Sequence, residues 1–141
     1  MDRFLDASAK AGTPFLWITD RRAPKAAENG QVLRVTTIPG RVGTLDPKRV
    51  QELRTAAAAF LDEHGSSVVV VDCVDLLVLH NGVERVVRAL TDLHEETATR
   101  EAVLAVFVSP RSGSPRLIAW LERELEPMPS PDPDLERWMP A

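Results

Sequence analysis

Among 141 residues there is a single cysteine, Cys73, so neither an intrachain disulfide nor a cysteine-based zinc site can form. That usage suits a reducing compartment, and the cytoplasm is the expected location. No apolar stretch approaches the roughly 18 residues of a membrane-spanning helix. Met1-Asp2-Arg3-Phe4 lacks the basic flank and apolar centre of a signal peptide, so neither export nor insertion is expected. Positive charge is also scarce. Seventeen Lys and Arg against 21 Asp and Glu leave a net charge of −4 and a pI near 5.4, with no basic footprint for a nucleic-acid backbone. Nucleic acid and membrane are therefore not expected as partners.

Other absences narrow the chemistry. No G-x-x-x-x-G-K-[ST] occurs, and Lys10, Lys25 and Lys48 do not follow a glycine-rich strand-to-helix turn. His64, His80 and His94 lie in separate segments, with no i, i+4 pair and no H-E-x-x-H, so metal ligation is not expected. Ser66-Ser67 and Ser112-Gly113-Ser114 lack the G-x-S-x-G elbow and read as turns. Cys73 has no interpretable histidine spacing and reads as a buried structural thiol. No cofactor is implied, and no complete catalytic motif is present.

What the chain does have is Val68-Val69-Val70-Val71-Asp72, entered from Gly65-Ser66-Ser67. A continuous β-branched run has no polar face, and it reads as a central buried strand. Pro14 to Thr19 gives another buried strand. Gln31 to Thr37, where Arg34 and Thr36 interrupt the apolar residues, gives a half-buried strand nearer an edge. Pro39 to Thr44 reads as a loop, and Asp46-Pro47 as the N-cap and first position of a helix through Val50, Leu53, Ala57, Phe60 and Leu61, stopped at Gly65. Asp75 to Leu79 is a short apolar turn or helix before Asn81-Gly82. A helix then carries the stripe Val83, Val86, Val87, Leu90 and Leu93. Ala102 to Val108 reads as a second central strand beside the valine run, and Ser114-Pro115 opens a last helix through Leu117, Ile118, Leu121 and Leu125.

Strands separated by helices require a largely parallel sheet. The expected fold is α/β, a small three-layer arrangement with a four-stranded, largely parallel sheet and three main helices. Residues 1–126 form one domain, and 127–141, with Pro127, Pro129, Pro131, Pro133 and Pro140, form a flexible tail.

Ligands of covered parallel sheets bind outside the carboxyl ends of the strands. Asp20, Asp72 and Ser109 end three strands and are the candidate ligand-binding residues. The alternative for Asp72 is a cap on the following turn. Their arrangement is similar to that of a phospho-accepting receiver domain, but the receiver's fifth strand and terminal lysine are absent. On the last helix Arg116, Trp120 and Arg123 fall at i, i+4 and i+7. With Trp138 of the tail they are the candidate interaction surface, because tryptophan flanked by arginine is enriched at interface anchors. Trp120 packed against a neighbouring helix or the tail is the competing placement.

Several of these segments together resemble the domain of unknown function 835 family. They are Phe15-Leu16-Trp17-Ile18-Thr19, Val69-Val70-Val71-Asp72 with Asp75-Leu76-Leu77, Asn81-Gly82, the strand ending Ser109-Pro110, and Leu121-Glu122-Arg123-Glu124-Leu125. The resemblance spans roughly residues 13 to 126, and Cys73 departs from it where a glycine is expected. It implies an α/β domain of signalling-type proteins with no established catalytic activity. More remotely, the valine strand and its aspartate are similar to the second half of RecA-like ATPases, without their P-loop. The expectation is thus a non-enzymatic interaction or regulatory module whose partner is another protein or a second copy of itself. The alternative is a small-ligand or nucleotide-binding domain with its site at the strand ends.

Overall fold

The computed structural model describes residues 12–21, 30–38, 43–108 and 114–125. Five strands form one parallel sheet: β1 (Phe15–Thr19), β2 (Gly30–Val35), β3 (Thr44–Leu45), β4 (Val68–Val71) and β5 (Val103–Val106). The helices are α1 (Glu52–His64), α2 (Val74–Asn81), α3 (Val83–Thr99) and α4 (Pro115–Glu124). The sheet order is β3-β2-β1-β4-β5. The chain therefore builds outward from β1 to one side, crosses back through α1, and builds outward to the other side. The order reverses between β1 and β4. Every residue of these two strands is buried, as continuous apolar runs require when both faces are covered.

Alternation along the strands sorts their side chains onto two faces. Leu16, Ile18, Val69 and Val71 join one core with Leu53, Phe60, Leu77, Leu90, Leu93 and Leu117, so all four helices contribute to the layer over this face. Phe15, Trp17, Val68, Val70 and Ala105 form a second buried cluster on the other face, with Val32, Val103 and Phe107 packed against it. Gly30 pairs with Phe15 in the ladder, and a Cβ there would stand 2.3 Å from the Phe15 ring. The missing side chain is the space that the ring occupies.

The helices follow the sequence patterns, with corrections at their ends. The stripe on α3 faces the core through Val86, Leu90 and Leu93, while Glu84 and Arg88 are exposed. Gly65, at φ 70°, closes α1 by donating its N–H to Leu61 O. Yet α1 begins at Glu52, five residues later than Asp46-Pro47 suggests. Asp46 Oδ1 accepts from Lys48 N at 2.9 Å and Asp46 O from Arg49 N, so the aspartate locks a tight turn instead of capping a helix.

Four further differences concern element number, position and layering. Thr44, read as the end of a loop, and Leu45 pair with Arg34 and Val35 as a fifth strand. Val74–Asn81 is a full helix, making four among the described residues instead of three. β5 is adjacent to the valine strand as expected, but it is the sheet edge and not a second central strand; β1 holds the centre. The described helices build one layer over the sheet, so a third layer has no described helix. The proline-rich tail lies outside the described residues.

On the surface, Arg54 and Arg100 both bond Glu96, and Arg100 reaches Asp62, tying α1 to the end of α3. The Arg100 and Arg54 hydrogen bonds hold the Glu96 carboxyl below the usual range.

Candidate functional site

The strand order reverses between β1 and β4, and the carboxyl ends of strands at such a reversal are where open α/β sheets bind ligands. The β1–β4 register ends at Ile18 opposite Val71, and Asp72 N donates to Ile18 O at 3.2 Å. Asp72 thus continues the ladder beside Thr19. By alternation both project on the face that carries Trp17 and Val70. Three groups converge there. Trp17 Nε1 and Thr19 Oγ1 each donate to Asp72 Oδ2 at 3.1 Å, and the Arg21 guanidinium lies 3.9 Å from the same oxygen. Thr19 Oγ1 also accepts from Arg21 N at 3.2 Å, which fixes the turn after β1.

The Asp72 side chain is only 5% exposed, whereas that of Arg21 is 59% exposed. Burial pushes the Asp72 carboxyl above the ordinary carboxylate value. The Thr19 and Trp17 hydrogen bonds and the Arg21 charge pull against that rise, while Asp20 adds to it. Oδ1 of the same carboxylate is buried and has no hydrogen-bond partner. A native structure rarely leaves such an acceptor unmet. What the arrangement can do chemically is accept a hydrogen bond from a bound donor while Oδ2 stays anchored. Nucleophilic chemistry is not assembled here: the adjacent Cys73 thiol is pushed far up by burial, and its Sγ–H points to Ile18 O at 3.7 Å.

Of the residues expected at the strand ends, Asp72 lies at the centre, Asp20 is exposed at the rim, and Ser109 lies outside the described residues. Asp72 does not cap the next turn. The N-cap of α2 is Cys73, with no side-chain cap, and both Asp72 hydrogen bonds come from β1. Among the described residues no group of three or more His, Cys, Asp or Glu could hold a metal ion.

On α4 the candidate interaction stripe divides. Arg116 and Arg123 are exposed and paired with Glu84 and Glu124, while Trp120 is buried in the core beside Leu117. Trp120 therefore takes the packed placement of the two that the sequence allows. Trp138 lies outside the described residues. The sequence reading passes over Trp17 and Thr19 as site residues. The signal available for them is their odd-numbered alternation with Phe15, which becomes informative only once β1 is placed against β4.

No curated protein matches the chain. Residues 2–125 match the family described as Protein of unknown function (DUF835), and a match over that much of the chain shows that the protein belongs to this family.

Proposed function

We propose that this protein is a non-enzymatic regulatory module that binds a small polar ligand at the carboxyl ends of β1 and β4 and passes the bound state to another protein or to a second copy of itself. The observation that carries the reading is Asp72: a nearly fully buried carboxylate with one oxygen held by two donors and the other unmatched. Burying a charge in this way costs stability unless something completes its hydrogen bonding. Its position at the reversal of strand order is where α/β sheets recruit ligands.

A thermal-shift screen tests the reading with single probes: MgCl₂, nucleotides with and without Mg²⁺, simple amines and free amino acids. At least one probe is expected to raise Tm saturably, since a ligand at about a hundred times its Kd stabilises the folded state by about 2.7 kcal/mol. The shift is expected to shrink markedly in Asp72→Asn. A screen with no saturable shift, or with shifts unchanged in the variant, would rule the reading out.

A further inference from the structure

Asp72 Oδ1 has a counterpart two strands away. The β1–β2 register sets Arg34 opposite Thr19, and Thr19 Oγ1 donates to Asp72. An arginine, a hydroxyl and a carboxylate therefore lie in one row across the carboxyl ends of β2, β1 and β4, on the face that carries Trp17. Among the described residues three buried side-chain polar atoms lack a hydrogen-bond partner, and two of them belong to this row: Arg34 Nε and Asp72 Oδ1. One is a donor lacking an acceptor, the other an acceptor lacking a donor. They do not satisfy each other, since the guanidinium beside Asp72 is that of Arg21.

Resting on the ligand-binding reading above, we infer that this row takes a small zwitterion of the α-amino-acid class, its carboxylate on the Arg34 guanidinium and its ammonium on Asp72 Oδ1. The span suits it. The Arg34 and Asp72 backbones are two strand spacings apart, roughly 9.5 Å, with Thr19 between them, so one small molecule carrying both charges can meet both side chains. Charge selects the class. A simple anion would satisfy Arg34 and be repelled by Asp72, and a simple cation would do the reverse. A nucleotide without metal would set several negative charges beside a buried carboxylate. Thr19, held between Asp72 Oδ2 and Arg21 N, keeps the acidic end of the row in position.

Calorimetric titration of the full chain with each free proteinogenic amino acid is the test. It is followed, for the tightest binder, by the N-acetyl and methyl-ester derivatives. At least one free amino acid is expected to bind, and each derivative to bind roughly tenfold or more weakly, because each loses one charge-assisted hydrogen bond. The N-acetyl penalty should disappear in Asp72→Asn and the ester penalty in Arg34→Gln, with thermal melts confirming that both variants fold. If Arg34→Gln does not fold, the two derivatives on the wild-type chain still decide. Equal binding of the amino acid and both derivatives would overturn the inference. Asp72-dependent binding of MgCl₂, an amine or a nucleotide with no bound amino acid would overturn it while leaving the ligand-binding reading standing. No Asp72-dependent binding of any probe would overturn both.

Discussion

Asp72→Ala is expected to destabilise the protein by about 1–3 kcal/mol for each of the two donors it abandons, because Trp17 Nε1 and Thr19 Oγ1 are left in the interior with no acceptor. Asp72→Asn is expected to behave differently. Its carbonyl oxygen can still accept both bonds, and the cost of a buried charge is gone. At neutral pH the asparagine variant should be at least as stable as the wild type in denaturant melts. A residue whose conservative replacement holds or raises stability while its truncation lowers it is being kept for something other than folding.

The pH dependence follows from the direction of the shift. Burial raises the folded carboxyl above its ordinary 3.8, so the folded state binds the proton more tightly than the unfolded chain does. The penalty for the charge is therefore fully present above the folded pKa and is relieved as pH falls through it toward 3.8. Any stability advantage of Asp72→Asn should be largest at neutral pH and shrink on acidification. An advantage that grew with acid would have the wrong sign.

Leu90→Ala carries the other large effect. Leu90 is fully buried where the α3 stripe meets the helix-covered face of the sheet, and truncation there should cost about 2–5 kcal/mol through lost burial and the cavity left behind. Leu79, on α2, is 79% exposed, and its alanine variant should stay within about 0.5 kcal/mol of the wild type. Comparable losses at the two leucines, measured as shifts of the urea midpoint, would mean that the stripe does not face the sheet.

Which parts of this were legible in the chain follows from period and length. β1, β4 and the α3 stripe carry patterns long enough to read, and the aspartate ending the valine run is the residue around which Trp17, Thr19 and Arg21 gather. β3 is two residues long and has no period to detect. The apolar residues of α2 do not form one stripe, so Asp75 to Leu79 left turn and helix undecided. The start of α1 was displaced because an aspartate before proline supports a local turn as readily as a cap. The partners of Asp72 depend on register between segments more than 50 residues apart, as the 55-residue separation of Trp17 and Asp72 makes plain. Arg34 read as the polar interruption of a half-buried strand. Only the β1–β2 ladder puts it beside Thr19 and in line with the carboxylate.

Asp72 is a desolvated carboxylate anchored through one oxygen, with the other in reserve. Carbon-detected NMR titration of its side-chain carboxyl in the folded protein, followed alongside the Trp17 indole N–H, measures this most directly. The midpoint is expected above 3.8, with the indole resonance moving through the same transition because its proton is donated to that carboxylate. A midpoint at or below 3.8, or an indole signal indifferent to the titration, would contradict it.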